Sequence, residues 1–140
     1  MIQALISFAV AIAVCGLAMR FGDKPAQRVG MITLGGWIVS LIVFRNSARF
    51  ADVGLMAVDA VVAALFVWVS LSSRRLWTVV VAAFQMLGVA SHLATVIDHR
   101  VTINTYKLSL AVWSYGILLV LAVAVWRCWR EQRRARAGQS

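Results

Sequence analysis

Two apolar runs joined by a short basic turn decide the fold: VGLMAVDAVVAALFVWVSLS (53–72), SRR (73–75) and LWTVVVAAFQMLGVASHLATVI (76–97). Each run is long enough to cross the hydrocarbon core of a bilayer as a helix, which takes about 20 residues. A connection this short makes consecutive helices antiparallel neighbours. The stretch therefore predicts a transmembrane helical hairpin.

Similar apolar runs occupy most of the remaining chain. Of 140 residues, 62% are hydrophobic and 14% are charged, and the mean hydropathy is +0.86, whereas soluble domains are about half apolar and a quarter charged. This composition excludes a separate Rossmann, P-loop or zinc-finger domain within these residues. We predict an all-α, polytopic transmembrane helix bundle over 1–126, followed by a basic tail over 127–140. Its five expected spans are 2–19, 29–44, 53–72, 76–97 and 108–126.

The second of these runs is the shortest, so the number of spans falls to four if that run does not cross. We expect the first run to be a retained transmembrane helix, because no A-x-A cleavage site precedes a soluble domain.

The charge balance predicts the orientation of the bundle. The chain has 14 Lys and Arg against 5 Asp and Glu, a formal net charge of +9. In a soluble protein this excess would suggest nucleic acid, but cytoplasmic loops of membrane proteins also collect basic residues. With five spans, ten basic residues fall on the side of the first loop, the third loop and the tail, and four fall on the other side. We therefore predict an external N-terminus, a cytoplasmic C-terminus, residence in the bacterial inner membrane and no nucleic-acid partner.

The tail concentrates five of the basic residues. Anionic lipids attract such segments by about 1 kcal/mol per basic residue. We expect these side chains to contact lipid headgroups: Arg127, Arg130, Arg133, Arg134 and Arg136.

Spans three and four carry ionisable side chains at matching depths. Asp59 lies near the outer end of span three, and His92 lies near the outer end of span four. At 1.5 Å per residue, both lie about 8–9 Å below the outer boundary. A charge inside the bilayer is costly, by about 2.5–3.5 kcal/mol on insertion scales, and normally finds a partner. We predict that Asp59 and His92 pair and partly neutralise each other.

A stripe of seven residues on span four extends this pattern. Alternating steps of three and four place them on one helix face: Thr78, Val81, Gln85, Gly88, His92, Thr95 and His99. The opposite face is apolar and suits lipid: Val79, Val80, Ala83, Leu87, Ala90, Ala94 and Ile97. We therefore predict an inward-facing intramembrane polar cluster of Asp59, Gln85, His92, Thr95, Asp98 and His99.

Two interpretations of this cluster stay open: a hydrogen-bonded network that fixes helix register, or a functional site open to the outer face. His92 and His99 lie about 10 Å apart along the helix axis and cannot hold one metal ion together. A haem on His92 would need its second ligand from another subunit. The chain has no nucleophile elbow, P-loop or zincin motif. We therefore predict no catalytic residue, no metal and no cofactor.

The order of motifs resembles one group of proteins. Asp59 in one span, Phe84-Gln85 and His92 in the next, and Trp113-Ser114-Tyr115 in the last are similar to a family of short, uncharacterised bacterial inner-membrane proteins. The sequence 20–25 (RFGDKP) resembles their first loop. The resemblance implies the same architecture and the same polar positions, and it attaches no activity to them.

Three functions compete. The small size and the small-residue helix faces favour a non-catalytic accessory or interaction subunit, whose partners are the lipid bilayer and another membrane protein or a second copy of itself. Asp59 and His92 suggest, as an alternative, a small proton or ion channel or carrier. The basic tail also suits a holin-like pore, although holins usually have fewer spans.

Overall fold

The computed structural model describes the backbone of residues 2–46, 51–97 and 103–137, and the side chains of residues 7–43, 53–94, 97 and 108–137. In this part of the chain the prediction of an all-α fold is confirmed. It holds five helices: α1 (Ile2–Phe21), α2 (Lys24–Asn46), α3 (Ala51–Ser73), α4 (Leu76–Ile97) and α5 (Ile103–Ala137).

Four helices are long and apolar enough to cross a membrane: Lys24–Val43, Val53–Ser73, Leu76–Ala94 and Leu108–Ala137. The second helix is one of them, although its apolar run is the shortest of the five in the sequence. It gains length because it begins at Lys24, five residues before that run. The remaining helix, α1, is not among these four, because its described apolar stretch, Ser7–Phe21, is shorter.

The early start of α2 follows from its cap. Asp23 precedes the helix, and its Oδ1 accepts a hydrogen bond from the backbone N–H of Ala26 at 3.2 Å, as an N-cap residue does. Pro25 lies in the first turn, where its missing N–H costs no helical hydrogen bond. Gly22 permits the tight α1–α2 turn, since a Cβ there would lie 2.4 Å from the backbone oxygen of Ala18.

The α3–α4 turn is closed by local hydrogen bonds. Arg74 adopts a left-handed conformation with φ 51°, and its N–H donates to the oxygen of Ser70 at 3.2 Å. This is the usual geometry at the end of a helix, although glycine is the common residue there. The hydroxyl of Thr78 donates to the oxygen of Arg75 at 2.6 Å. The turn therefore holds α3 and α4 as the predicted hairpin.

The helices form a ring in chain order, in which each helix packs on the next and α5 returns to α1. We call the end with the turns at 22–23 and 74–75 the turn end, and the opposite end the loop end. At the turn end, a guanidinium nitrogen of Arg75 lies 3.4 Å from Oδ2 of Asp23. The side-chain amide of Gln132 donates to the backbone oxygen of Phe21 at 3.2 Å. These contacts tie all the helices together there.

The best-packed core lies between the middle of the bundle and the turn end. Its fully buried larger side chains come from all five helices: Cys15, Val29, Phe66, Val69, Thr78, Val81 and Leu121. Small residues such as Ala18 and Ala26 are also fully buried. Their short side chains let the backbones of α1 and α2 approach closely.

The basic tail is helical as far as Ala137, so α5 has 35 residues. Its length is about 52 Å at 1.5 Å per residue, which exceeds the hydrocarbon thickness of about 30 Å. Arg, Gln, Glu and Ala are strong helix formers, and they continue the helix after the apolar run ends.

Candidate functional site

Asp59 on α3 contacts two side chains of α4. Its Oδ2 lies 2.8 Å from Nε2 of His92, and its Oδ1 accepts a hydrogen bond from Nε2 of Gln85 at 3.1 Å. The same amide nitrogen lies 3.4 Å from the backbone oxygen of Asp59. Gln85 and His92 lie two helical turns apart, and Asp59 bridges them. We call these three residues the polar cluster.

Asp59 and His92 differ in exposure. The side chain of His92 is 4% exposed, whereas that of Asp59 is 29% exposed. The imidazole is therefore enclosed between helices, and part of the carboxylate faces open space. A polar group enclosed in a bundle is tolerated when it is paired, and such pairs fasten membrane helices to each other.

The stripe on α4 faces inward, as its spacing predicts. Thr78, Val81, Gly88 and His92 are buried, and Gln85 is half-buried. All seven residues of the opposite face are exposed: Val79, Val80, Ala83, Leu87, Ala90, Ala94 and Ile97. The helical period alone thus separates the packed face of α4 from its outer face.

Three residues predicted for the cluster cannot be placed beside it. The side chain of Thr95, and Asp98 and His99 altogether, lie outside the described residues. The structure therefore brings together Asp59, Gln85 and His92 from the predicted set of six.

A cavity of about 310 Å³ adjoins the polar cluster. It is a half-enclosed cleft among α2, α3, α4 and α5, and both Asp59 and Gln85 line it. Its other lining residues of polar or aromatic character are Thr33, Trp37, Ser40, Phe66, Phe84, Trp113 and Ser114. Its size lies near the lower end of the range of small-molecule sites, about 300–1,000 Å³.

The contribution of α2 to this cavity is a feature that the sequence analysis missed. Thr33, Gly36, Trp37 and Ser40 all line it. They occupy positions i, i+3, i+4 and i+7, which lie on one helix face. The same periodicity that identifies the stripe on α4 could therefore have identified this wall.

Ring contacts fix the aromatic walls. The indole N–H of Trp113 donates to the hydroxyl of Ser91 at 3.0 Å, and its ring lies 6.2 Å from that of Phe84. Gly116 lies beneath Phe84, where an added Cβ would meet the ring at 3.2 Å. Trp37 packs 6.1 Å from Phe8. The walls of the cavity are thus held by neighbouring side chains rather than loosely placed.

Apolar packing closes the cavity towards the turn end. Phe66 lines the cavity and is 1% exposed, and it belongs to a cluster with Val81 and Leu121, both 0% exposed. Beyond them, Thr78 uses its hydroxyl locally, on Arg75 and Ser73. The polar cluster is therefore separated from the turn end by a layer of packed hydrocarbon.

The five predicted headgroup-contacting arginines are all exposed on α5: Arg127, Arg130, Arg133, Arg134 and Arg136. Two of them stack on tryptophans one turn earlier, Arg130 on Trp126 at 4.7 Å and Arg133 on Trp129 at 4.1 Å. Stacked Arg and Trp side chains, with a polar tip and an apolar body, suit a membrane–water interface.

Among the residues that the structure describes, no group of three or more His, Cys, Asp or Glu side chains could hold a metal ion. No protein-family model, curated protein or solved structure matches the chain. The resemblance to short inner-membrane proteins therefore stays a prediction.

Proposed function

We propose that the chain is a non-catalytic accessory subunit of the bacterial inner membrane that packs against another membrane protein or a second copy of itself. All five helices cross the bilayer in this proposal, with the N-terminus outside and the C-terminus in the cytoplasm. The lipid bilayer and the partner's helices are its binding partners.

The distribution of charge supports this orientation. The antiparallel helices gather ten basic residues at the turn end, on the 20–28 and 74–75 segments and on the last part of α5. Arg28 stacks over Trp68 at 5.5 Å at the same end, in addition to the two stacked pairs on α5. Basic residues accumulate on the cytoplasmic side, and tryptophans accumulate at the interface. The turn end is therefore the cytoplasmic end.

The observation that carries the accessory role is the pair of glycines in the middle of α2. Gly36 is used inside the bundle, since a Cβ there would lie 2.9 Å from Cγ2 of Val62 on α3. Gly35 faces outward and has nothing within 4 Å of its Cβ position. It lies on an exposed face with Met31 and Ile38. Membrane helices associate where small residues let backbones approach, so this face suits a partner helix.

The state of the polar cluster agrees with a structural role. Both carboxylate oxygens of Asp59 are already engaged, by Gln85 and His92. Contacts of this kind hold α3 on α4 and do not need a substrate to satisfy them. Asp59→Asn keeps the shape of the side chain and one acceptor oxygen, so we expect it to have only modest consequences for the assembly.

The test is the size of the complex that mild detergent extracts from native membranes, where either kind of partner is present. We expect the chain to migrate as a complex larger than a monomer, with Gly35→Leu releasing the monomer. Ala90→Leu is the matched control, because it adds similar bulk on the exposed face of α4 and should leave the complex intact. A monomer for the wild type, or equal complexes for both variants, would contradict the proposal.

Proton or ion transport is the second candidate, and the 2.8 Å contact between Asp59 and His92 favours it, because intramembrane carboxylate–imidazole pairs occur in proton relays. The apolar layer around Phe66 and Leu121 stands against it. Flux measurements in liposomes distinguish the two candidates. Transport predicts a proton or ion flux through the wild-type chain that Asp59→Asn and His92→Ala abolish. An accessory subunit gives no flux, either for the wild type or for the two variants.

A further inference from the structure

The cavity exists because side-chain volume is missing at specific positions. Gly88 is buried in α4 and lines the cavity, yet an added Cβ would have nothing within 4 Å. Ser40 and Ser114 are the short side chains on α2 and α5. Protein interiors are normally packed to the density of organic crystals. Open space beside a buried glycine is therefore room that the described side chains leave for a ligand.

The charge lining the cavity has one sign. Asp59 is its only ionisable side chain among the described residues, and none of those lining it is basic. An ionised carboxylate offers about four lone-pair sites, and Gln85 and His92 take one each. Of the pair Asp59 and His92, Asp59 lines the cavity and His92 does not. Acceptor capacity thus remains on the exposed side of Asp59.

The remaining walls are aromatic or carry hydroxyls. Trp37, Phe84 and Trp113 all line the cavity. The face of an aromatic ring attracts a cation within about 6 Å of its centre, and tryptophan does so most strongly. A carboxylate and aromatic rings that line the same cavity are the chemistry that recognises an organic ammonium group. The apolar walls that complete the cavity suit the hydrocarbon part of such a molecule.

We propose that this cavity binds a lipophilic ammonium cation. Its cationic head lies against the exposed side of the Asp59 carboxylate, and its apolar body packs against Trp37, Phe84 and Trp113. Gln85 and His92 position the carboxylate from behind and do not contact the ligand. This binding activity goes beyond the accessory role and does not depend on it.

The test uses two probes of the same shape. Benzyltrimethylammonium carries the charge, and neopentylbenzene is its neutral isostere. Each is titrated into the purified chain in phosphatidylcholine nanodiscs, with tryptophan fluorescence as the signal and empty nanodiscs as the reference. We expect saturable binding of the cation and at least tenfold weaker binding of the isostere.

Three variants locate the site. Asp59→Asn should weaken binding of the cation at least tenfold and leave that of the isostere unchanged. Gly88→Leu fills the cavity from α4 and should abolish binding of both probes. Ala90→Leu adds the same side chain on the exposed face of α4 and should bind like the wild type. Circular dichroism and thermal melting establish which variants are folded.

Three results would overturn the proposal: no saturable binding of the cation to the folded wild type, equal binding of the two probes, or unchanged cation binding in Asp59→Asn. If Gly88→Leu does not fold, the comparison of the two probes on the wild type still decides, because it needs no variant. The oligomeric state of the chain enters none of these measurements, so failure here is distinguishable from failure of the accessory role.

Discussion

Removing the contact between Asp59 and His92 should weaken the association of α3 with α4 by a measurable amount. Polar contacts between membrane helices contribute about 0.6 kcal/mol on average and reach about 1.7 kcal/mol. Asp59 makes two such contacts with side chains. In addition, His92 is 4% exposed, and a buried donor that loses its acceptor costs about 1–3 kcal/mol. We expect Asp59→Ala to lower the free energy of unfolding by about 2 kcal/mol.

A double-mutant cycle isolates the contact itself. Asp59→Ala, His92→Ala and the double variant are unfolded reversibly by steric trapping in bicelles, and the coupling free energy is obtained by difference. We expect a coupling of about 1 kcal/mol, because the atoms lie 2.8 Å apart and little water competes for them.

The matched control pairs Asp59→Ala with Ser72→Ala. The hydroxyl of Ser72 donates to an oxygen of its own helix and is exposed, so its coupling to Asp59 should be zero. Independent sites add within about 0.3–0.5 kcal/mol. A coupling of Asp59 with His92 inside that margin would refute the reasoning that this pair fastens the two helices.

Three further predictions concern the turn end. Gly22→Ala should cost at least about 2 kcal/mol of stability, because its Cβ would lie 2.4 Å from a backbone oxygen. Gly16→Ala is the control and should cost nothing, because its Cβ would have nothing within 4 Å, and equal melting temperatures of the two variants would contradict this prediction. Asp23→Ala should cost about 1 kcal/mol of stability through the lost helix cap, whereas Arg75→Ala should cost at most about 0.5 kcal/mol, because that arginine is 55% exposed. Chemical unfolding measures both losses, and a larger loss for the arginine variant would contradict the role of Asp23 as the cap of α2. In a variant with Cys15 replaced by serine, Cys128 should react with a membrane-impermeant maleimide only after spheroplasts are opened. Labelling of Cys128 in intact spheroplasts would contradict the proposed orientation.

The α3–α4 hairpin shows why much of the fold was predictable. A membrane helix must satisfy its own backbone hydrogen bonds, so hydropathy reveals where helices are, and the helical period reveals which face is packed. Counting from the outer end of each run then places Asp59 and His92 at matching depths. The prediction needed only the geometry of two antiparallel helices.

The start of α2 and the cavity were not predictable by the same reasoning. Hydropathy places the start of the run at Val29, because Lys24 and Arg28 lower the mean, but Asp23 caps the helix earlier through a local hydrogen bond. The cavity depends on how four helices pack around Gly88. A sequence shows that a glycine is present, but only the tertiary packing shows whether a neighbour fills the space beside it.

Solid-state NMR of the chain in lipid bilayers tests the central claim most directly, through the dipolar coupling between the Nε2 nitrogen of His92 and the carboxyl carbon of Asp59. His99→Gln removes the other histidine of the chain and makes the nitrogen signal unique. The account predicts a strong coupling, as required by a nitrogen 2.8 Å from a carboxylate oxygen, that disappears in Asp59→Asn with selective carboxyl labelling. If the wild-type chain shows no coupling, the polar cluster does not form in the membrane, and the binding site built on it does not exist.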